Sequence, residues 1–372
     1  MIIGVLKEQS PETRVSLVPE VVQALTKMQV QVWVEKDAGV TAFFNDDAYQ
    51  KAGAEIKDRN TIVQQAELLL AIQPENIGND IPNDKVILGV YQPLFNAAQM
   101  NAWAQKNTTV FSLDTIPRTT RAQAMDVLSS QANIAGYKAV LLAATQYCRY
   151  FPMFMTAAGS IPPAKVLILG AGVAGLQAIA TARRLGAVVE VFDTRPAVKE
   201  EVQSLGAKFV EVEGAADASK AGGYAVEQSE EFQQRQKQRI HESAKKADII
   251  ITTAQIPGRK APILITKEMI ADMRAGSVII DLAAATGGNT DLTRNNETVM
   301  QNGVTIIGNS ALAATASSDA SKVYAKNVLN FLKLLIDKDG NFFLNMEDDL
   351  VKGTTITYQK EIVNERVKAL LP

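Results

Sequence analysis

The chain has 372 residues, 47% of them hydrophobic and 21% charged, the balance of a globular protein with two domains of ordinary size. Its formal net charge is −2, without the clustered lysine and arginine that nucleic acid or an anionic membrane surface would demand. A single cysteine, Cys148, excludes an intrachain disulfide, and no uninterrupted apolar run approaches the ~20 residues of a membrane span.

The opening Met1-Ile2-Ile3-Gly4 reads as a strand entering a fold, not as a charged leader before an apolar signal core. An intracellular chain, soluble by itself, is expected. Residues 1–115 alternate short β-type runs with helical patterns. Residues 1–5 are extended, and 19–28 form a helix with Pro19 in its first turn. Val30, Val32 and Val34 alternate with Gln31 and Trp33, and 68–72, 86–90 and 110–113 are further strands. A helix fills 96–106. This alternation predicts a parallel sheet covered on both faces.

Residues 122–150 predict one long helix, interrupted only by Gly136 and long enough to bridge two domains. Cys148, in its apolar end, reads as a packed helical residue and not as a nucleophile. Pro152, Gly159, Pro162 and Pro163 then punctuate the chain, so 154–160 reads as a loop or hairpin. A second βα series begins at Lys165, with strands at 166–169, 188–192, 208–212, 248–252, 277–281 and 304–307. Six strands fit a complete dinucleotide-binding domain. The crossover 213–246 carries no strand and starts with an Ala- and Gly-rich stretch, the mark of a functional or disordered loop. The only histidine, His241, lies in a polar surface helix.

Beyond Ala320, residues Tyr324, Val328, Phe331, Leu332 and Leu335 mark one apolar helix face. The tail 337–372 is too small to fold alone and is expected to complete the first domain. The fold class is therefore α/β, with two Rossmann-like doubly wound parallel-sheet domains joined by long helices. The first comprises 1–128 with 320–372, and the second 129–319.

The run Val166-Leu167-Ile168-Leu169-Gly170-Ala171-Gly172-Val173-Ala174-Gly175 carries the first chemical signal. Gly170 turns the chain tightly out of the strand, Gly172 lets backbone approach a pyrophosphate, and Gly175 packs helix on strand. Val173 and Ala174 open the helix, whose N-terminal N–H groups face the phosphates. The next strand ends on Asp193, 18 residues after Gly175, near the ~20 expected of a ribose-binding acid. A carboxylate there accepts from an adenosine 2′-OH and repels a 2′-phosphate, so the site reads as NAD(H) and not NADP(H). Thr194 and Arg195 follow directly and are counted among the cofactor-binding residues. Arg195 is a phosphate-binding residue type, but Asp193 holds the strand end.

Further segments are Lys7-Glu8 with Glu12-x-Arg14-Val15, the run from Pro117-Arg118-Thr119-Thr120-Arg121 through Gln123 to Asp126, and Ser129. Thr156-Ala157-Ala158-Gly159, Gly222-Gly223-Tyr224 and Gly287-Gly288-Asn289 complete the set. Together with the glycine fingerprint they resemble, over nearly the whole chain, the NAD(H)-binding domain I of proton-translocating nicotinamide nucleotide transhydrogenase, in the form whose alpha subunit is split. The resemblance implies that Arg118, Thr119, Thr120, Gln123, Asp126 and Ser129 hold the nicotinamide end of the cofactor, with Arg118, Gln123, Asp126 and Ser129 serving catalysis. A helix-capping network joining two domains is the competing reading of the same residues. The resemblance also implies a closing loop with Gly223 and Tyr224 at its tip, a cofactor contact at Gln236, and an adenine-side position at Gln255, where the family more often has an apolar residue.

The same resemblance implies hydride exchange between NAD(H) here and NADP(H) on a partner domain III. A membrane domain II couples that exchange to proton movement. The chain itself is then a homodimeric, peripheral subunit on the cytoplasmic face of the membrane, with 156–163 at the dimer contact, and no metal is implied. The related alanine dehydrogenases are the alternative. Their substrate site needs proton-transfer groups, yet 71–74 offers no lysine, 88–92 no histidine, and Ala285 stands where an aspartate is expected. Arg14, matching a carboxylate-binding arginine, is retained. A non-catalytic NAD-binding module is the third reading.

Overall fold

The computed structural model describes residues 1–78, 81–212 and 229–371. The chain divides into two compact units, Met1–Gln131 with Ala314–Pro372, and Ala132–Ala313.

The first unit is built on a parallel sheet of β1 (Ile2–Val5), β2 (Gln31–Glu35), β3 (Glu55–Lys57), β4 (Leu68–Leu70), β5 (Val86–Gly89) and β6 (Thr109–Ser112), in the order β6-β5-β4-β1-β2-β3. The strands Thr355–Tyr358 and Glu361–Ile362 of the tail extend the β6 edge with antiparallel pairing. β4 is buried throughout, as a central strand covered on both faces must be. Its side chains alternate between two cores: Leu68 and Leu70 join Tyr324, Phe331 and Leu335, while Leu69 joins Tyr91 and Trp103. Edge-to-face ring pairs at Phe111–Phe331 (5.6 Å) and Tyr91–Trp103 (5.3 Å) mark the two sides.

In the second unit β7 (Phe154–Thr156) and β8 (Gly159–Ile161) form a separate antiparallel hairpin with Phe154, Met155 and Ile161 exposed. The main sheet contains β9 (Lys165–Leu169), β10 (Val188–Phe192), β11 (Lys208–Phe209), β12 (Ile249–Thr252), β13 (Val278–Asp281), β14 (Glu297–Gln301) and β15 (Val304–Gly308). The order is β11-β10-β9-β12-β13-β15-β14, parallel except for β14. Ile249 and Ile251 enter one core and Ile250 the other.

Three expectations need correction. The long helix spans Val127–Gln146, preceded by a 3₁₀ turn at Thr120–Met125. The Asp126 carboxylate accepts from the Ser129 N–H (2.9 Å) and holds the helix start there. Because the helix stops at Gln146, Cys148 lies beyond it and is exposed, with its sulfur against Gly276. The strand β14 is absent from the sequence-based series, since its side chains are exposed or half-buried and show no apolar alternation.

Candidate nucleotide site

The turn from β9 into the helix Val173–Arg184 assigns each glycine a separate task. Gly170 sits at φ +105°, in the left-handed region, and a Cβ there would lie 2.4 Å from Thr253 Oγ1. A Cβ on Gly175 would lie 1.9 Å from the Gly170 carbonyl oxygen, so only glycine permits this approach of helix to strand. A Cβ on Gly172 would meet no described atom within 4 Å. That space opens at the start of a helix without a side-chain cap, where the positive dipole end and first-turn N–H groups suit a phosphate. Val173 is exposed and Ala174 half-buried at this end.

At the carboxyl end of β10, Asp193 lies beside this turn and is nearly buried. One carboxylate oxygen accepts from the Arg195 backbone N–H (2.8 Å) and Nε (2.9 Å). The other accepts from the Ala171 N–H (2.7 Å) and an Arg195 terminal nitrogen (2.7 Å). Asp193 is thus tied to the glycine turn by Ala171, and Arg195 folds back on it. This bond holds the Arg195 guanidinium above its ordinary pKa. Thr194 is half-buried between them.

The loop after β12 forms the next wall. Thr253, which is not among the sequence-based candidates, donates from Oγ1 to the Gly170 carbonyl (3.1 Å). Its signal is positional: a small hydroxyl residue directly beyond a fully buried strand. Gln255 is exposed and donates to the Leu282 carbonyl (3.0 Å). Gln236 is half-buried on the helix Glu230–Ala244. Gly223 and Tyr224 lie outside the described residues. So the structure brings Gly170, Ala171, Asp193, Arg195 and Thr253 together within the second unit.

Arg118, Thr119, Thr120, Gln123, Asp126 and Ser129 belong to the first unit. Arg118, Thr119, Thr120 and Gln123 are exposed on the segment that runs into the 3₁₀ turn. Asp126 and Ser129 face each other, the Ser129 hydroxyl donating to the carboxylate at 2.6 Å, so both serve the helix start in this arrangement. Arg121 anchors the segment through paired contacts to Asp348 and a further contact to Asp349.

The first unit also buries a polar cluster. Glu12 clasps Arg14 through Nε (2.8 Å) and a terminal nitrogen (2.6 Å), and the other terminal nitrogen reaches Gln131 (2.8 Å). Burial alone would raise Glu12; the bond from Arg14 overrides it and holds the carboxyl below its usual range. Among the described residues Glu8 has no such cationic partner in hydrogen-bond contact. It accepts from the Ile72 N–H (2.6 Å) and from Asn76, and burial pushes its carboxyl up to about 8. Burial likewise raises the phenols of Tyr91 and Tyr324.

Residues 4–135 match the model of the alanine dehydrogenase/PNT N-terminal domain, and 139–365 that of the alanine dehydrogenase/PNT C-terminal domain. The first portion of the split NAD(P) transhydrogenase subunit alpha of Rhodospirillum rubrum is 45% identical over 98% of this chain and 98% of its own length. The protein of the same name from Rickettsia prowazekii is 44% identical over 98% of this chain and 96% of its own. The crystal structure of a transhydrogenase from Sinorhizobium meliloti superposes with a TM-score of 0.88 at 42% identity, covering 97% of this chain and 100% of that one. The chain belongs to the alanine dehydrogenase/PNT family and, within it, to the group formed by the first portion of the split NAD(P) transhydrogenase subunit alpha.

Proposed function

We propose that the second unit binds NAD(H) and that the chain is the NAD(H)-side subunit of a proton-translocating transhydrogenase. The observation that carries the reading is the joining of Asp193 to the glycine turn through Ala171. The turn offers backbone N–H groups and open space at Gly172 for a pyrophosphate. Asp193 offers a carboxylate to the ribose 2′-OH and rejects a 2′-phosphate by charge. A ribose hydroxyl must share that carboxylate with Arg195, which shifts on binding. Gly223, Tyr224, Gln236 and Gln255 belong to the same reading as contacts around the nucleotide.

When bound, the nicotinamide supplies a hydride donor or acceptor. Arg118, Thr119, Thr120 and Gln123 orient its carboxamide end with exposed donors and acceptors, while Asp126 and Ser129 hold the segment that carries them. The reaction asks no proton transfer of this chain. NADP(H) sits on a partner domain, a division in keeping with relatives named as one portion of a divided alpha subunit, and the exchange is coupled to proton movement by a membrane domain. The exposed apolar residues of the β7–β8 hairpin support a homodimer contact. In this reading the chain is a peripheral subunit on the cytoplasmic face; among its described residues no helix is long and apolar enough to cross a membrane.

The test mixes the chain with an NADP(H)-loaded transhydrogenase domain III and follows hydride exchange with a nicotinamide analogue. Exchange is expected only in the mixture. Oxidation of L-alanine with NAD⁺ by this chain alone would replace the reading with an alanine dehydrogenase.

A further inference from the structure

We infer that Asn289 is a positioning residue for the nucleotide site, pinning the loop after β12 against the phosphate turn. The inference rests on the NAD(H) reading of the second unit. β9 and β12 are sheet neighbours from which the chain departs in opposite directions, to β10 and β11 on one side and to β13 and β15 on the other. In open α/β sheets the ligand crevice lies outside the carboxyl ends of strands at such a switch point. The loop 253–262 leaves the carboxyl end of β12 and therefore walls that crevice.

This loop is short of regular structure, and among its restraints one side chain from outside it, Asn289, binds near both of its ends. The Ala254 N–H donates to Asn289 Oδ1 (3.1 Å), and Asn289 Nδ2 donates back to the Ala254 carbonyl (2.9 Å). The same Nδ2 donates to the Pro262 carbonyl (2.8 Å), so both ends of the loop are tied to one amide. Asn289 is itself fixed: its N–H donates to Asp281 Oδ2 (2.6 Å), which also accepts from Thr293 Oγ1 (2.6 Å). Asp281 Oδ1 accepts from the Ala283 N–H (2.9 Å). Asn289 and Asp281 are both 0% exposed. From Ala254 the restraint passes to Thr253, whose hydroxyl reaches the Gly170 carbonyl of the phosphate turn. Only a primary amide of this length supplies one acceptor and two donors at once. Buried as it is, Asn289 acts through Ala254 and Thr253, not by contact with the nucleotide.

The experiment measures NAD⁺ binding to the full chain by equilibrium dialysis between pH 5.5 and 8.5. It compares the wild type with Asn289→Ala, Asn289→Asp and Thr253→Val, and monitors folding by melting. Asn289→Ala and Thr253→Val should each weaken binding by about ten-fold. Asn289→Asp keeps the acceptor and loses both donors. It should bind poorly at pH 8.5 and recover several-fold toward pH 5.5 as the new carboxyl takes up a proton and regains a donor, while the wild type stays level. Folded Asn289→Ala and Thr253→Val chains that bind like the wild type would overturn the inference, as would an Asn289→Asp chain without that recovery. If Asn289→Ala does not fold, Thr253→Val decides alone. Absence of binding in the wild type would overturn the nucleotide reading itself, and this inference with it.

Discussion

Glu12-Thr13-Arg14 in the first unit and Asp193-Thr194-Arg195 in the second share one local design. In each, the arginine backbone N–H and Nε bind one carboxylate oxygen (2.9 and 2.8 Å; 2.8 and 2.9 Å) and a terminal nitrogen binds the other (2.6 Å; 2.7 Å). Their surroundings differ. Arg14 continues to Gln131, and Glu12 to Gln73 at 3.4 Å, so protein closes around the pair. Asp193 instead accepts the Ala171 N–H, in a turn with open space one residue on, at Gly172. A bidentate acid–arginine pair thus does not by itself make a site. The strand ends and the backbone donors beside it decide whether it braces a core or faces a ligand.

The two pairs part most sharply at Arg14. Truncating it to alanine leaves Glu12 nearly buried (7% exposed) without its cation, and should cost about 3–5 kcal/mol in denaturant unfolding. A loss under ~1 kcal/mol would show the first pair to be as adaptable as a surface pair. Glu8 in the same cluster gives the next effect. Unfolded, its carboxyl ionises near 4.5; folded, it keeps its proton to about pH 8. Between these values the native chain binds the extra proton, so stability falls as pH rises, by up to about 1.4 kcal/mol per pH unit. Glu8→Gln should remove that slope and exceed the wild type in stability at pH 8. Denaturation between pH 5 and 9 checks this, and an unchanged slope would refute the assignment.

In the second pair the effects fall on binding. Asp193→Ala should weaken NADH by about ten-fold or more, since a hydrogen bond to a charged group is lost. It should also raise NADPH affinity, because Asp193 no longer clasps Arg195. Arg195→Ala should do the reverse, tightening NADH by roughly two- to five-fold as a competitor for the carboxylate is removed. An Arg195→Ala chain that loses NADH binding would make the arginine a ligand and not a competitor.

Much of the fold was legible because parallel strands buried on both faces are continuous apolar runs, as at Leu68–Leu70 and Ile249–Thr252. The antiparallel edge β14 lacked that signature. The Asn302-Gly303 pair between Gln301 and Val304, both at positive φ, is the hairpin turn that would have revealed it. The turn Gln359-Lys360 also has two positive φ values but no glycine or asparagine, so its hairpin left no mark. At the site, Gly170, Gly175 and Asp193 were readable because local backbone constraints and a spacing define them. Arg195 folding onto Asp193, and Thr253 onto Gly170, were not, since each depends on rotamer or on strands brought together from distant sequence. Asp126 shows the limit from the other side: a helix-cap residue and a ligand-binding residue look alike until the helix start is seen.

The most direct test of the account is side-by-side equilibrium dialysis of the whole chain against NADH and NADPH at one salt concentration. NADH should bind at least about ten-fold more tightly, because Asp193 accepts a 2′-hydroxyl and repels a 2′-phosphate. Equal binding, or preference for NADPH, would contradict the role given to Asp193 and with it the placement of NAD(H) on this chain.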